Sequence, residues 1–468
     1  MKLRELLDSL DILESNVDLN TDVHEVQYDS RNVESGDLFV AVTGVATDGH
    51  KYIPMAREKG AVCVLCEKAP EDGAPFVRVA DTRRALAVVG ANRFDHPAKE
   101  LTMVGVTGTS GKTTSTYLIK SILEQKAGAK VGLIGTIQNM IGGEVLPTER
   151  TTPESFELQK LLREMSDAGC THVVMEVSSH ALMLDRVYGI QFAVGIYTNL
   201  SRDHLDFHET MEAYCDAKAL LFRQCDLGIY NADDPWSARL MAGASCPRRF
   251  SYSVNGAADL MAKNVSLRSG SVDFDAEADT EWCHVHVGIP ALFTVYNTLD
   301  AIACCWNLGV SLEACADALA KNHGVKGRME IIPTPGTDFT VLNDYAHKPD
   351  ALEKVLTSAK EFAKGRVVAL FGCGGDRDKT KRPVMGAIAA QLADFVIVTS
   401  DNPRTEKPEA IIDDILPGMA GYDTPYAVIP DRVEAICYAM DHAQPGDVIV
   451  LAGKGHEDYQ EINHKHYP

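Results

Sequence analysis

Residues 105–114 read Gly-Val-Thr-Gly-Thr-Ser-Gly-Lys-Thr-Thr and follow the apolar run Leu101–Val104, which predicts a strand, a glycine loop and a helix start. The backbone N–H groups of such a loop cradle phosphate, the Lys112 ammonium can reach β- and γ-phosphate oxygens, and the Thr113 hydroxyl can ligate Mg²⁺. The common loop has a glycine where this chain has Val106, but a plain glycine turn needs no Lys-Thr-Thr after it. The sequence therefore predicts an ATP-binding loop made of Gly108, Thr109, Ser110, Gly111, Lys112, Thr113 and Thr114.

Three further residues of the same region could take part in phosphate chemistry. Glu176 ends an apolar, strand-like run, where a carboxylate can bind or orient Mg²⁺. His204 follows another such run with an acid on each side, and is a candidate metal ligand, although single histidines are usually structural or solvated. Lys218 lies in a helical stretch, and its pattern alone favours a solvated side chain.

Four clusters of glycine and charged residues follow predicted strands in the last third of the chain. One such cluster would be an ordinary turn, but four in one region, each with a cation or a histidine, are not. Because ligands of parallel sheets bind beyond the carboxyl ends of the strands, the clusters predict the rim of an active site. They cover Asp344–Pro349, Gly372–Asp378, Asp401–Arg404 and Gly453–Glu457.

The elements that must position these residues form three blocks of alternating strands and helices, which predict an α/β fold with mostly parallel sheets. The first block, 1–97, ends in a Pro-containing linker, and the second, 98–325, holds the phosphate loop and an alternating stretch typical of a small antiparallel insertion at 250–290. The third block covers 326–468. Predicted strands are Asp37–Val42, Ala61–Leu65, Leu101–Val106, Lys130–Ile134, Thr171–Val177, Phe192–Asn199, Leu227–Asn231, Phe339–Asn343, Arg366–Phe371, Phe395–Thr399, Tyr426–Ile429 and Asp447–Leu451.

Composition limits the possible partners. The 468 residues include 45 basic and 66 acidic ones, and the net charge of −21 argues against nucleic acid or an anionic membrane as the main partner. No apolar run approaches the roughly 18 residues of a membrane-spanning helix. Acids stand near the N-terminus where a signal peptide would be apolar, so we expect a cytoplasmic protein. The 12 cysteines lack metal or disulfide spacing and are expected to be buried and reduced.

Taken together, the motifs resemble those of the Mur ligase family, in the family's order and over nearly the whole chain. The segments are TGTSGKTT, MEVSSHAL, TNLSRDHLDFH, YCDAKALLF, VYNTLDAIA, VKGRME, NDYAHKPDAL, FGCGGDRDKTKRP, SDNPR and AGKGHEDYQ. The resemblance implies three domains. A smaller α/β N-terminal domain would bind a UDP-linked substrate, a central P-loop ATPase domain with a mostly parallel sheet would bind ATP, and a Rossmann-like C-terminal domain would bind an amino acid.

The resemblance also implies a reaction, in which ATP phosphorylates a carboxylate and an amine displaces phosphate from the acyl phosphate. The GDRD, DNPR and GKGHE segments resemble the branch that adds meso-2,6-diaminopimelate to UDP-MurNAc-L-Ala-D-Glu in peptidoglycan synthesis, hence in cell-wall biogenesis, cell shape and cell division. Expected ligands are ATP, Mg²⁺ and these small substrates, with no nucleic acid and no integral membrane association. The expected protein is a monomer.

Residue roles follow from the same resemblance. The implied catalytic residues are Lys112, Glu176, His204 and Lys218, and the implied metal ligands are Thr113, Glu176, His204 and Lys218 modified to a carbamate. Implied ATP contacts beyond the loop are Asn297, Arg328 and His347. Implied contacts to the UDP substrate are Ser30, Arg31, Val45, Ala46, Thr47, Thr151, Thr152, Ser178 and Arg186. Diaminopimelate would contact Arg377, Asp401, Asn402, Pro403, Arg404, Gly453 and Glu457.

Some residues depart from the family pattern, and alternative functions stay open. Ser110 replaces the usual Asn, Pro290–Thr294 replaces a Gly-Arg-Phe-Asn stretch near the adenine, and Leu184 stands where some relatives have Gln. The nearest alternative is an enzyme that adds L-lysine, which only the last block distinguishes. A folate-glutamate ligase would lack the DSR…GDLFVA segment, and a P-loop kinase or ATPase without ligase activity would lack the DNPR and GKGHE rim.

Overall fold

The computed structural model describes residues 1–44, 47–268, 270–322 and 324–467. It divides into two compact units, Met1–Ser251 and Tyr252–Pro468. The chain is α/β, with mostly parallel mixed sheets in an N-terminal, a central and a C-terminal domain, as predicted. Over the described ranges, none of the helices has the length and apolar character needed to cross a bilayer.

The N-terminal domain is a five-stranded sheet flanked by short helices. Its elements are α1 (Leu3–Leu6), β1 (Glu14–Ser15), β2 (Val26–Gln27), β3 (Leu38–Val40), α2 (Ile53–Glu58), β4 (Cys63–Cys66), β5 (Phe76–Arg78) and α3 (Thr82–Arg93). Every residue of β3 and β4 is buried, which explains their continuous apolar sequence. The α3 helix begins where the Asp81 carboxylate accepts hydrogen bonds from the backbone N–H groups of Arg83 and Arg84.

The central sheet of the first unit has the strand order β12-β11-β6-β10-β7-β8-β9. Its elements are β6 (Thr102–Thr107), α4 (Lys112–Lys126), β7 (Val131–Ile134), β8 (Asn139–Ile141), β9 (Glu144–Leu146), α5 (Ser155–Asp167), β10 (His172–Glu176), α6 (Ser179–Met183), β11 (Phe192–Tyr197), α7 (Leu205–His208), α8 (Met211–Ala219), β12 (Cys225–Asn231) and α9 (Ser237–Ala242). The strands β12, β11, β6, β10 and β7 are parallel, and β8 and β9 are antiparallel additions. The carboxyl ends of β6, β7, β10 and β11 therefore share one edge.

The second unit begins with the antiparallel insertion that the alternating pattern at 250–290 predicts. Strand β13 (Arg248–Ser253) spans the boundary between the units and is followed by β14 (Leu260–Leu267), β15 (Val272–Ala278), β16 (Glu281–Val287), α10 (Leu292–Asn307) and α11 (Leu312–Leu319). The β14–β15 and β15–β16 pairs are antiparallel. Alternate residues of β15 are buried, since one face of this strand packs against the core.

The C-terminal sheet has the strand order β17-β18-β22-β19-β20-β21, and only β17 is antiparallel to its neighbour. Its elements are β17 (Glu330–Ile332), β18 (Thr340–Asp344), α12 (Pro349–Phe362), β19 (Val367–Phe371), α13 (Lys381–Leu392), β20 (Phe395–Val398), α14 (Pro408–Ile415), β21 (Tyr426–Val428), α15 (Arg432–Asp441) and β22 (Val448–Ala452), followed by a hairpin of β23 (Gln460–Ile462) and β24 (Lys465–Tyr467). The four charged clusters begin at or just after the carboxyl ends of β18, β19, β20 and β22. They therefore gather at one edge of the sheet.

Each predicted strand overlaps an observed one, whereas several strands of two or three residues, such as β1 and β9, were not predicted. These short strands lie mostly at sheet edges, where pairing depends on neighbours distant in sequence. All cysteines are free, as predicted, and 11 of them are buried. The exception to the predicted burial is Cys437, which is exposed on α15.

A buried arginine joins the Gly372–Asp378 cluster to the segment that follows Arg404. The Arg382 side chain is 0% exposed, and its guanidinium donates to both carboxylate oxygens of Glu406, at 3.0 and 2.8 Å. It also donates to Asp414 at 2.8 Å and to the Gly374 carbonyl at 3.3 Å. These hydrogen bonds from Arg382 hold the pKa of Glu406 at about 2, so the ion pair persists far below neutral pH.

We expect Arg382→Leu to lower the free energy of unfolding by about 2 kcal/mol, because it removes the buried cation that bonds Glu406 and Asp414 while Lys379 stays 3.1 Å from Glu406. Urea unfolding at neutral pH measures this change. The matched control is Arg377→Leu, since Arg377 is exposed in the neighbouring loop. Equal stability of the two variants would contradict the structural role of Arg382.

Candidate active site

The predicted phosphate loop lies between β6 and α4, as the sequence indicates. A Cβ on Gly108 would lie 1.8 Å from the Thr198 hydroxyl oxygen, so only glycine fits there. That hydroxyl donates to the Ser110 carbonyl at 2.7 Å, and the Asn199 side-chain oxygen accepts from the Ser110 N–H at 3.1 Å. Gly111 adopts φ +88° directly before the 15-residue helix α4. The end of β11 thus holds the loop at the positive end of a long helix, where an anion is stabilised.

Two lysine ammonium groups meet at one carbonyl oxygen of this loop. Lys112 Nζ and Lys218 Nζ each donate to the Gly108 carbonyl, both at 2.9 Å. Lys218 is 1% exposed, so the solvated side chain that its pattern favours is wrong, and its ammonium lies 4.4 Å from the centre of the Tyr214 ring. Burial, together with the Lys112 charge, lowers the pKa of Lys218 well below its ordinary value.

Glu176 connects the loop to the neighbouring strand ends. Its buried carboxylate accepts from the Thr113 hydroxyl at 2.9 Å and from the backbone and hydroxyl of Thr136 at 2.8 and 3.0 Å. Among the described residues, no group of three or more His, Cys, Asp and Glu side chains could hold a metal ion. A hydroxyl and a carboxylate in contact nonetheless fit Mg²⁺, which usually takes one or two protein oxygens beside substrate phosphates and water.

His204 lies in a cluster of aromatic rings next to the loop. It adopts φ +53°, its Nε2 lies 3.4 Å from Asp203, and its ring centre lies 4.9 Å from that of His180. His208 in turn contacts the Ser179 hydroxyl at 2.9 Å, and burial lowers its pKa to about 4. The structure thus places His204 beside an acid and among aromatic rings.

The central candidates for UDP-substrate binding surround Glu176. Thr152 donates to the Glu176 backbone carbonyl at 2.8 Å and accepts from the Ser178 N–H at 3.1 Å. Thr151 contacts the Thr136 hydroxyl at 3.0 Å. Arg186 donates to the Thr152 carbonyl at 3.1 Å, so the structure brings Thr151, Thr152, Ser178 and Arg186 together.

In the N-terminal domain, the candidates Ser30 and Thr47 lie against the short helical segment that contains Tyr52 and Met55. Ser30 is buried with its hydroxyl 3.4 Å from the Met55 sulfur, and the Thr47 hydroxyl lies 3.3 Å from that of Tyr52. Arg31 extends outward and pairs with Asp29 at 2.6 Å. Val45 and Ala46 lie outside the described residues.

Sequence reasoning missed a side chain that links the two groups of UDP-substrate candidates. Arg83, in the first turn of α3, donates to the Thr43 carbonyl at 3.0 Å and to the Leu184 carbonyl at 3.4 Å. It also lies 3.8 Å from Glu154, the acid that Arg186 contacts at 2.9 Å. An arginine in the first turn of a helix is usually exposed, so the sequence around Arg83 does not predict these contacts.

In the second unit, the predicted nucleotide contacts Arg328 and His347 both contact Tyr345. The Arg328 guanidinium lies 5.2 Å from the centre of the Tyr345 ring, and the Arg328 Nε is buried without a hydrogen-bond partner. The His347 ring lies 4.7 Å from that of Tyr345, and burial lowers its pKa. Asn297 is buried in α10.

The predicted amino-acid contacts form a network centred on a buried lysine. Lys454 Nζ donates to the Asn402 side-chain oxygen, lies 3.1 Å from Glu457 and 3.5 Å from Asp401. Asn402 also donates to Glu457 at 2.9 Å. A Cβ on Gly453, whose φ is +114°, would lie 2.8 Å from the Asp401 carboxylate. The structure therefore brings Asp401, Asn402, Gly453 and Glu457 together. Lys454 lies within the predicted cluster Gly453–Glu457 and joins this network, although the sequence did not single it out as an amino-acid contact.

Arg404 and Pro403 bind the neighbouring loop. Arg404 donates to the Gly375 carbonyl at 2.9 Å and pairs with Glu461 at 2.8 Å. A Cβ on Gly375 would lie 1.9 Å from the Pro403 carbonyl oxygen, so these loops touch backbone to backbone. Arg377, on the same loop as Gly375, is exposed.

Known protein families and proteins resemble this chain over most of its length. Three family models match: "Mur ligase family, catalytic domain" over residues 22–100, "Mur ligase middle domain" over 106–305 and "Mur ligase, glutamate ligase domain" over 327–455. A Clostridium acetobutylicum protein named UDP-N-acetylmuramoyl-L-alanyl-D-glutamate--2,6-diaminopimelate ligase 1 is 47% identical over 468 residues, which cover 99% of this chain and 96% of the relative. A Clostridioides difficile protein of the same name without the numeral is 44% identical, with 99% and 96% covered.

Solved structures extend the likeness to three dimensions. A structure of a UDP-N-acetylmuramoyl-L-alanyl-D-glutamate--2,6-diaminopimelate ligase has a TM-score of 0.75 at 32% identity, covering 100% of this chain and 96% of the other. The Thermotoga maritima MurF ligase in complex with ADP shares the fold, with a TM-score of 0.61 at 20% identity and 92% and 94% covered. With matching models over most of its length and near full-length relatives, this chain belongs to the Mur ligase family.

Proposed function

We propose that this protein is an ATP-dependent ligase that joins meso-2,6-diaminopimelate to UDP-MurNAc-L-Ala-D-Glu in peptidoglycan synthesis. The near full-length likeness to ligases of that name supports the reaction class and the substrates. The observation that carries the proposal is the network of Asp401, Asn402, Glu457 and Arg404 at one edge of the C-terminal sheet. Residues 1–97 would bind the UDP substrate, 98–325 ATP, and 326–468 the amino acid.

The chemistry explains why a phosphate loop and an amino-acid site belong to one enzyme. A carboxylate resists attack by an amine because it has no good leaving group. In the first step a carboxylate oxygen of the D-Glu residue attacks the γ-phosphorus of ATP, which gives an acyl phosphate and ADP. In the second step the amine attacks the acyl carbon, loses a proton, and expels phosphate together with that carboxylate oxygen.

The first step brings two anions together, so fixed cations must dominate catalysis. Lys112 and the N-terminus of α4 stabilise charge on the γ-phosphate. Thr113, Glu176, His204 and a carbamylated Lys218 would hold Mg²⁺, which neutralises phosphate charge when bound. Carbamylation requires an uncharged amine, and burial beside Lys112 lowers the pKa of Lys218, which favours that form. The modification would place an anion beside the Lys112 ammonium.

The amino-acid network suits a substrate with an amine and a carboxylate at its far end. The Asp401 and Glu457 carboxylates are the groups that would accept hydrogen bonds from a distal ammonium. Arg404 supplies hydrogen bonds to a distal carboxylate. L-Lysine has that ammonium but lacks the carboxylate, so it would make no hydrogen bond to Arg404 through its distal end.

Phosphate release measured with UDP-MurNAc-L-Ala-D-Glu and each candidate amine tests the proposal. We expect release that requires both the UDP substrate and an amine, with meso-diaminopimelate preferred. A P-loop ATPase without ligase activity would release phosphate regardless of either substrate, and an enzyme that adds L-lysine would prefer lysine.

We expect Lys112→Ala to lower the ligation rate by about 10²-fold or more, since it removes a cation from the γ-phosphate. Steady-state product formation measures the rate. Lys126→Ala, at the other end of α4, is the matched control and should keep full activity. Full turnover by Lys112→Ala would show that the phosphate loop is misassigned.

Lys218→Ala should be nearly inactive, with partial recovery when a short carboxylic acid replaces the missing anion of the carbamate. Turnover with and without added acetate or formate measures this. Lys112→Ala serves as the control, because an added acid cannot replace a cation. A crystal structure with an unmodified Lys218 ammonium far from any metal would overturn the carbamate.

Arg404→Ala should remove most of the preference for meso-diaminopimelate over L-lysine. The variant loses the attraction between Arg404 and the distal carboxylate of diaminopimelate, and also the repulsion between Arg404 and the lysine ammonium. The ratio of kcat/KM for the two amines, in the wild type and in the variant, measures the preference. Equal use of both amines by the wild type, or an unchanged ratio in Arg404→Ala, would exclude Arg404 as the selector.

A further inference from the structure

Arg404 is held by the C-terminal hairpin as well as by its own loop. Its backbone adopts φ +51°, a conformation that side chains other than glycine rarely take. The Arg404 N–H donates to the Glu461 carbonyl at 3.0 Å, and the Arg404 carbonyl accepts from the Asn463 N–H at 2.9 Å. Strand β23 thus pairs with Arg404 and stabilises this unusual backbone conformation.

The hairpin also reaches the residues before Arg404. The Gln460 side chain donates to the Asp401 carbonyl at 2.8 Å, and the Glu461 N–H donates to the Asn402 side-chain oxygen at 2.8 Å. The Asp-Asn-Pro-Arg segment is therefore bound at three of its four residues by 460–463. This makes the hairpin a wall of the amino-acid network, although the sequence motifs reach only its first residue, Gln460.

The side-chain contact of Glu461 is the informative one. Its carboxylate lies 2.8 Å from Arg404 Nε, while Arg404 Nη1 donates to the Gly375 carbonyl at 2.9 Å. The two side chains are 18% and 21% exposed, so the pair is largely shielded from solvent screening. A guanidinium has five N–H donors in one plane, and the contacts at Nε and Nη1 restrict how that plane can turn.

We propose that Glu461 is a positioning residue that determines specificity by holding the Arg404 guanidinium with its remaining N–H groups available to the distal carboxylate of the amino-acid substrate. This inference rests on the proposed function and assigns its selectivity to a pair rather than to Arg404 alone. Glu461 touches no reacting atom and acts through Arg404. Without it, the arginine keeps its charge but loses the contact that sets its orientation, and a small misplacement of a recognition group weakens binding.

The test compares Glu461→Ala, Glu461→Gln, Arg404→Ala and the Glu461→Ala/Arg404→Ala double variant. Lys465→Ala is the matched control, since Lys465 is exposed on the other strand of the same hairpin. KM and kcat are measured for meso-diaminopimelate, L-lysine, ATP and the UDP substrate. Thermal unfolding of each variant monitors the fold.

We expect Glu461→Ala to raise the KM for meso-diaminopimelate about tenfold and to lower the preference over L-lysine, with kcat and the KM values of ATP and the UDP substrate unchanged. Glu461→Gln keeps an oxygen acceptor for Arg404 Nε and should restore much of the preference. In the double variant the loss of preference should equal that of Arg404→Ala alone, because Glu461 acts only through Arg404.

Three outcomes would overturn the inference. One is a Glu461→Ala variant with unchanged preference while Arg404→Ala loses it. A second is a lower KM for meso-diaminopimelate in Glu461→Ala, which would make Glu461 a competitor of the substrate. A third is an equal rise in all KM values, which a merely structural role produces. A wild type that ligates no meso-diaminopimelate would refute the proposed function itself, and is distinguishable from all three.

Discussion

The meeting of Lys112 and Lys218 at the Gly108 carbonyl sets the conditions for the rest of the central domain. Like charges at this short separation repel each other, and the Gly108 carbonyl, with the Thr109 carbonyl that also accepts from Lys112 at 3.1 Å, offsets part of that repulsion. The loop must therefore be held firmly, which Thr198 and Asn199 at the end of β11 do, and burial beside Lys112 lowers the pKa of Lys218. The same positive charge attracts the anions of a phosphoryl transfer. The charge that causes repulsion within the site therefore also stabilises the phosphate groups.

In the C-terminal domain, charged side chains lie next to partners of opposite charge. Asp401, Glu457 and Lys454 balance one another at the carboxyl end of the sheet, and Arg404 is balanced by Glu461. Arg382 lies beneath these loops and holds Glu406, which accepts a hydrogen bond from the Asp376 N–H. Side chains that already pair within the protein lose less conformational entropy when a substrate binds, because their positions are already set.

The sequence was enough to predict features that depend on local pattern. The strands β6, β10 and β11 are apolar runs followed by glycine or polar residues, and the parallel order of such strands brings Thr113 and Glu176 to one edge. The burial of Lys218 could not be predicted, since a helical pattern does not say which face a neighbouring loop covers. Contacts such as Arg83 with Leu184, or Glu461 with Arg404, join residues without a shared motif, and only the folded chain brings them together.

The central claim is that a carboxylate of the UDP substrate is activated by phosphorylation before the amine attacks. The most direct measurement labels the D-Glu carboxylate oxygens of UDP-MurNAc-L-Ala-D-Glu with ¹⁸O and follows the label during ligation with meso-diaminopimelate. An acyl phosphate route predicts one labelled oxygen in each phosphate released. Product formation with unlabelled phosphate would contradict the account.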